Sequence, residues 1–140
     1  MPVELKYKTK RIEKNVLRFG EALDKVEVVK NQGAQDLGMY DFWKDVRRLE
    51  LVRNRFQRVT GGLAVFVTND PKYQNVPRAT SNYFAFRMTK YNCSLKRYWQ
   101  YPEKSSAKGR PNFDQDQAYQ IQWEPMGCQG LSFHYCIVAV

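Results

Sequence analysis

The sequence predicts an α/β (α+β) fold in which one long helix flanks a mixed β-sheet. Three features predict this fold. Apolar and charged residues alternate strictly near the amino end, apolar residues recur at helical spacing along one long segment in the middle, and short apolar segments lie at 63–68 and 131–140. The chain has 140 residues, 43% of them apolar and 14% aromatic, so it is long and hydrophobic enough to bury one core. We therefore expect residues 1–140 to form a single domain.

The first predicted strand lies at residues 3–8, where apolar and charged residues alternate with a period of two. The apolar side carries Val3, Leu5 and Tyr7, and this is the side that we expect to be buried. Residues 11–24 favour a helical turn or a packed loop, and residues 25–30 a short strand.

The clearest helix signal begins at Asn31 or Gln32. Apolar residues then recur every three or four positions, at Ala34, Leu37, Tyr40, Phe42 or Trp43, Val46, Leu49 and Val52. The opposite side is charged and carries Asp36, Asp41, Lys44, Asp45, Arg47, Arg48, Glu50 and Arg53. After Gly61 and Gly62, the apolar run at 63–68 predicts a strand buried on both faces, and the strand–helix–strand order predicts a parallel crossover.

The second half of the chain has weaker signals. Residues 83–91 predict a strand or short helix, and 119–123 alternate like a strand. Residues 100–118 are polar and rich in Pro, Gly and Ser, which predicts an exposed loop. The apolar end of the chain, 131–140, predicts a last strand packed into the sheet. Interleaved aromatic and basic residues between 83 and 101 suit either an ordinary core or stacking on single-stranded nucleic acid, and we favour the core.

Charge and cysteine content restrict the class of protein. The net charge of +9 and the pI of about 9.6 favour a polyanionic partner: nucleic acid above all, or else an anionic membrane surface or an acidic protein. The odd number of cysteines, Cys93, Cys128 and Cys136, predicts free thiols in a reducing cytoplasm. The charged amino end is unlike a signal peptide, and no apolar run approaches the ~20 residues of a membrane helix. We therefore expect a cytoplasmic protein without membrane contact.

Glu4-Leu5-Lys6 is the first candidate for chemistry. On a strand, Glu4 and Lys6 share one face about 7 Å apart, so a carboxylate and an ammonium could together hold a metal ion and orient its bound water. The Leu5 carbonyl would be a further oxygen ligand. The same pattern is also common on solvated strand faces.

Two other groups of residues are candidates for phosphate contacts. The amides Gln32 and Gln35 lie at the predicted helix start, where they could reach a phosphate or simply cap the helix. The basic candidates are Lys8, Lys10, Arg47, Arg48, Arg53 and Arg55, which could grip nucleic acid or form a solvated face. The one histidine, His134, lies in an apolar segment, for which we expect a structural role.

Taken together, the segments PVELKYKTK, NQGAQDLGMYDFWKDVRRLE, GGLAVFVTNDPKY and FHYCIVAV resemble restriction-endonuclease-related proteins of the PD-(D/E)xK nuclease superfamily. The resemblance implies a restriction-endonuclease-like core and Mg²⁺-dependent cleavage of DNA. It further implies that Glu4 binds the metal, that Lys6 orients the water and stabilises developing charge, and that Gln32 or Gln35 matches a helix glutamine of some branches. The spacing from Gln35 to Tyr40 departs from the Q-x-x-x-Y pattern of one branch.

One departure is more consequential. The strand that carries the first metal-binding Asp of this superfamily would precede Glu4, and the chain has only three residues there. The resemblance therefore implies the carboxyl-terminal portion of a longer nuclease, with Glu21, Asp24 or Glu27 as possible substitutes for the missing Asp. Two alternatives stay open: a non-catalytic nucleic-acid-binding module, and a homodimeric interaction module that uses an exposed sheet edge.

Overall fold

A computed structural model describes residues 1–90, 92, 94–128 and 130–140, without the side chain of Cys128. The predictions made for Tyr91, Cys93 and the Cys128 thiol lie outside the described residues. Cys136 is a buried free thiol, as predicted, and burial raises its pKa.

A mixed four-stranded sheet forms the centre of the fold, with the strand order β1-β4-β8-β7. These strands are β1 (Val3–Lys8), β4 (Leu63–Thr68), β7 (Glu124–Cys128) and β8 (Leu131–Ala139). β1 pairs with β4 in parallel, and the other two pairings are antiparallel. The predicted mixed sheet and the predicted carboxyl-terminal strand are therefore confirmed.

β1 forms at the predicted residues but with the opposite orientation. Val3, Leu5 and Tyr7 are 55%, 67% and 60% exposed, whereas Glu4 and Lys6 are half-buried. The prediction that the apolar side is buried was wrong. The physical reason is that the charged side faces the helix, where carboxylate and basic partners compensate the burial of Glu4 and Lys6.

A β-hairpin follows β1 in place of the predicted helical turn or loop. Its strands are β2 (Ile12–Arg18) and β3 (Glu21–Val29), which pair antiparallel with two irregularities in register. The connection uses Phe19 and Gly20, both with positive φ. These irregularities break the period of two, which is why the sequence pattern over residues 11–24 was misinterpreted.

The long helix α1 spans Gln35–Arg55 and packs on the sheet. It begins three or four residues later than the predicted start at Gln32 or Asn31, because Ala34 adopts a left-handed conformation (φ 62°) that a helix cannot include. The predicted apolar stripe is buried from Tyr40 to Leu49. Asp45 and Glu50 were predicted on the solvent side but are buried, since each meets a hydrogen-bonding partner there.

The predicted parallel crossover exists, but it joins β1 to β4 through the hairpin and α1. The segment 25–30, which we expected to enter the sheet, instead belongs to β3 of the hairpin. β4 is also less buried than predicted, because Ala64, Phe66 and Thr68 are buried whereas the alternate residues are only half-buried. One face of the sheet is thus covered by α1, and the other carries partly exposed apolar side chains.

The remaining elements are short. Two 3-10 turns span Pro71–Tyr73 and Phe84–Phe86, the second falling where a strand or short helix was predicted. β5 (Lys96–Arg97) pairs with β6 (Phe113–Asp114), and β6 lies inside the predicted loop 100–118. Most of that loop is exposed, although Ala107 and Gln115 are buried. Residues 119–123 are not a strand, since pairing in this part of the chain begins only at Glu124.

An aromatic cluster anchors this second half to the helix. Tyr40 stacks on Trp99 with ring centroids 5.3 Å apart, and Phe86 lies 4.7 Å from Trp99. All three rings are buried, so Phe86 and Trp99 belong to the core as we favoured, whereas Tyr98 is 40% exposed. Among the described residues, no helix is long and apolar enough to cross a membrane.

Candidate functional site

Four charged residues of β1 and α1 form one network, which we call the β1–α1 ion cluster: Glu4, Lys6, Asp45 and Arg48. Lys6 Nζ lies 2.8 Å from Asp45 Oδ2. Arg48 Nη2 lies 2.7 Å from Glu4 Oε1 and 2.9 Å from Asp45 Oδ1, so one nitrogen bridges both carboxylates. The strand and the helix run side by side here, which places alternate residues of β1 opposite successive turns of α1.

The cluster contains the second carboxylate that a two-carboxylate metal site would need. It comes from Asp45 of the helix rather than from Glu21, Asp24 or Glu27, which all lie on β3 of the hairpin. Both carboxylates are already neutralised by basic partners in this arrangement. Among the described residues, no group of three or more His, Cys, Asp or Glu side chains is placed to hold a metal ion. The Leu5 side chain points away from the cluster to the exposed face.

The two predicted glutamines lie away from this cluster. Gln35 Nε2 donates to Asp70 Oδ2 at 2.8 Å, and Gln35 is about 15 Å from Asp45 along the helix axis, given a rise of 1.5 Å per residue. The backbone N–H of Gln32 donates to the Thr9 carbonyl at 2.7 Å. The four predicted catalytic residues therefore divide into a pair, Glu4 with Lys6, and two separate glutamines.

Arg47, one of the predicted phosphate contacts, is occupied by a structural network. Its guanidinium donates to Asp116 and to Glu50, and the Glu50 carboxylate is fully buried. Glu50 Oε1 also accepts from the Tyr119 hydroxyl at 2.9 Å and from the Asp116 N–H at 3.0 Å. The hydrogen bonds from Arg47 and Asn54 hold the pKa of Asp116 below its ordinary value. This network ties residues 116–119 to α1.

The other predicted basic residues lie at opposite ends of the molecule. Arg53 and Arg55 are in the last turn of α1, and Arg55 lies over the Phe56 ring. Lys8 and Lys10 lie at the carboxyl end of β1, near the start of the helix. The helix has 21 residues, so about 30 Å separates its two ends.

The carboxyl ends of β1 and β4 gather lysines into one region, which we call the basic end of the sheet: Lys8, Lys10, Lys30 and Lys72. Asn69 joins the two strand ends, because its amide donates to the Lys10 carbonyl at 2.9 Å and accepts from the Lys10 N–H at 2.6 Å. Lys72 lies in the 3-10 turn after β4, and its N–H donates to Asp70.

A cavity of about 490 Å³ opens at this end of the sheet, lined by Lys10, Arg11, Glu27, Lys30 and Asn31. Glu27 accepts from Arg11 Nε at 3.1 Å. Among the described residues, no carboxylate lies within ion-pairing distance of Lys10 or Lys30. The positive charge of these two lysines is therefore uncompensated at short range, and both are exposed.

Several residues of these two regions were missed at the level of sequence. Lys30 and Lys72 join the basic end only because the hairpin returns beside β1 and because the 3-10 turn follows β4. The alternation within residues 25–30 was a signal for the returning strand. No local signal marks Asp45 as the partner of Lys6, because that contact joins residues far apart in the chain.

Comparison of the chain with models of protein families, with curated proteins and with solved structures finds no match.

Proposed function

We propose that this domain binds nucleic acid through phosphate contacts at the basic end of the sheet. The observation that carries the proposal is the cavity in which Lys10 and Lys30 are exposed with no carboxylate partner among the described residues, while its one carboxylate, Glu27, is held by Arg11. Phosphates that bind such lysines release condensed counterions, which supplies affinity independent of sequence.

The position in the fold also supports this proposal. In open sheets with parallel strands, ligands bind beyond the carboxyl ends of the strands, where chain ends and helix starts converge. Here the carboxyl ends of β1 and β4 meet the amino end of α1, with Gln35 and Asn31 as neutral hydrogen-bonding groups. The net charge of +9 draws polyanions to the protein from a distance.

The experiment is a titration of labelled single- and double-stranded DNA by fluorescence anisotropy over a series of salt concentrations. The double variant Lys10→Gln with Lys30→Gln should weaken binding and reduce the salt slope by about 2, about 1 for each lost phosphate contact. The matched control is Lys104→Gln with Lys108→Gln, which removes the same charge from the exposed loop. Equal losses in the two double variants would show that net charge, and not this site, accounts for binding.

The β1–α1 ion cluster favours a second candidate function, metal-assisted phosphodiester hydrolysis on a restriction-endonuclease-like core. The specific observation is that Asp45 lies beside Glu4, bridged by a single Arg48 nitrogen, so the chain itself supplies two carboxylates. Mg²⁺ is usually held by one or two carboxylates, and it would activate a water molecule and polarise the phosphate. Lys6 would stabilise charge on the phosphate. Arg48, which is half exposed, would first have to leave the carboxylates.

Two measurements test this candidate. Incubation of plasmid and single-stranded DNA with Mg²⁺ or Mn²⁺ should give cleavage that Lys6→Ala abolishes. Binding of Mn²⁺, followed by electron paramagnetic resonance, should be lost in Asp45→Asn but retained in Asp41→Asn, a control one turn earlier on the helix. If the intact chain shows no cleavage and no Mn²⁺ binding, the hydrolytic candidate is refuted. The nucleic-acid-binding proposal would remain intact, because it does not depend on this cluster.

A further inference from the structure

Among the described residues, no strand pairs with the outer edge of β1, and this edge lacks the usual features that block pairing with another strand. In the strand order β1-β4-β8-β7, both β1 and β7 are edges. β7 has five residues and contains Pro125, which cannot donate a hydrogen bond to another strand. β1 has six residues and no proline. Unpaired edges of this kind are templates for a further strand.

The charges of β1 do not protect its edge either. Glu4 and Lys6 are turned to the helix and are bound by Arg48 and Asp45. The residues on the other face, Val3, Leu5 and Tyr7, are all more than half exposed. The edge therefore presents apolar side chains that lose water contact when a strand lies alongside.

The direction of the backbone groups restricts how a partner can pair. The Leu63 N–H donates to the Pro2 carbonyl, so the even-numbered residues of β1 direct their backbone groups to β4. The backbone groups of Val3, Leu5 and Tyr7 consequently point to the open edge. A second strand must place its own outward-pointing residues opposite these three to form the hydrogen-bonded pairs.

We propose that β1 pairs antiparallel with β1 of a second copy of this chain, about a two-fold axis at Leu5. In this register Leu5 lies opposite Leu5 of the second copy, and Val3 lies opposite Tyr7. On the helix face, Glu4 lies opposite the second copy's Lys6, so opposite charges meet twice about the axis. An antiparallel pair of identical strands is self-complementary, which is the geometry that closes as a dimer.

Neighbouring registers are less favourable on electrostatic grounds. Sliding one strand by two residues along the other keeps the outward-pointing residues opposite each other. It moves the two-fold axis from Leu5 to Glu4 or to Lys6. The first places two Glu4 side chains opposite each other, and the second places two Lys6 side chains opposite each other. Like charges directly opposite in a sheet are destabilising, whereas in the Leu5 register the pairs formed by residues 3–7 are either opposite charges or apolar contacts.

The dimer would join the two β1–α1 ion clusters into one. Each Glu4 would gain the second copy's Lys6 as a cross-strand partner, while its own Arg48 remains within hydrogen-bonding distance. The two four-stranded sheets would become one eight-stranded sheet. This inference does not depend on nucleic-acid binding, since it rests on Val3–Tyr7 of β1 and not on Lys10 and Lys30, the lysines that carry the nucleic-acid proposal.

The first test is the mass of the chain in solution by sedimentation equilibrium over a concentration series. The proposal expects twice the chain mass of 16.5 kDa, and Leu5→Lys should return the protein to that single-chain mass by placing like charges at the axis. Leu17→Lys is the matched control, because Leu17 is similarly exposed but lies on the hairpin. A single-chain mass at every concentration would overturn the proposal.

The second test reads the register by disulfide formation under mild oxidation, with the wild-type chain as the background. Leu5→Cys should cross-link to itself, because hydrogen-bonded antiparallel pairs have Cα atoms about 5.5 Å apart, within disulfide range. Val3→Cys and Tyr7→Cys should each fail to cross-link to themselves, because the same position in the two copies is about 13 Å apart along the strands. A mixture of the two variants should cross-link, because Val3 lies opposite the second copy's Tyr7. Self-cross-linking by Val3→Cys, or none by Leu5→Cys, would overturn this register.

Discussion

Replacing Glu50 with glutamine should destabilise this protein more than any other single loss of charge on α1. Glu50 is fully buried and its carboxylate accepts three hydrogen bonds, from Arg47, from the Asp116 N–H and from the Tyr119 hydroxyl. Glutamine has nearly the same size but no charge, and it has one oxygen acceptor in place of two. Glu50→Gln therefore removes the charge of a buried ion pair without opening a cavity.

The size of the effect follows from these contacts. Removing one partner of a buried ion pair costs about 3–5 kcal/mol. The lower end applies here, because Arg47 keeps its second partner, Asp116, and is itself a quarter exposed. We expect a loss of about 3 kcal/mol in the free energy of unfolding, which lowers the midpoint of thermal unfolding by about 6–12 °C for a domain of this size.

The assay is urea unfolding followed by tryptophan fluorescence. Glu103→Gln, at an exposed position in the loop 100–118, is the matched control and should stay within about 0.5 kcal/mol of the wild type. The free energy of unfolding should fall with urea concentration at the same slope in each protein. An unchanged slope would show that each protein exposes the same surface area on unfolding. A loss of less than about 1 kcal/mol in Glu50→Gln would refute the view that this buried network joins residues 116–119 to the helix.

Three further predictions concern buried tyrosines and a helix glycine. Tyr73→Phe should leave stability unchanged or raise it by up to about 1 kcal/mol in the same urea assay, because the buried Tyr73 hydroxyl has no hydrogen-bond partner in the part of the chain that the structure describes; a clear loss would reveal a partner for this hydroxyl. Gly38→Ala should cost about 1–3 kcal/mol, because its Cβ would overlap that hydroxyl, and Tyr73→Phe in the same chain should recover part of the loss. Stability should fall between pH 10 and about pH 12, because burial first and then the hydrogen bond to Glu50 raise the pKa of Tyr119 from 10.0 to about 12. Because the pKa of Tyr119 is higher in the folded than in the unfolded state, its contribution to stability is complete below pH 10 and lost as the pH rises further. Tyr119→Phe should therefore reduce the fall in unfolding free energy between pH 10 and about pH 12.

The elements predicted correctly have signals that act within a short stretch of chain. The stripe of apolar residues on α1 and the apolar run at 131–140 each match the period of the element that forms. The hairpin was missed because its bulges interrupt the alternation, and the start of α1 was placed too early because the left-handed conformation of Ala34 leaves no mark in composition.

The residues of the candidate sites also fall into two groups, those placed by a local pattern and those brought together only by the fold. Glu4 and Lys6 could be placed on one face from the sequence, because a strand puts alternate residues on the same side, whatever lies opposite. Their partners, Asp45 and Arg48, were visible only as charges on a predicted solvent face. Lys30 could not be joined to Lys10 before the hairpin was known, since that proximity depends on a chain reversal between them.

The sequence by itself determined the mixed class of the fold, the long helix, the strands at 3–8, 63–68 and 131–140, and the strong positive charge, since periodicity and composition are local properties. Only the tertiary structure decided which face of β1 is buried. Alternation shows that a strand has two unlike faces, but the partner across the interface determines which one is turned inward. Here Asp45 and Arg48 compensate Glu4 and Lys6 on the helix side, and this leaves Val3, Leu5 and Tyr7 at the open edge.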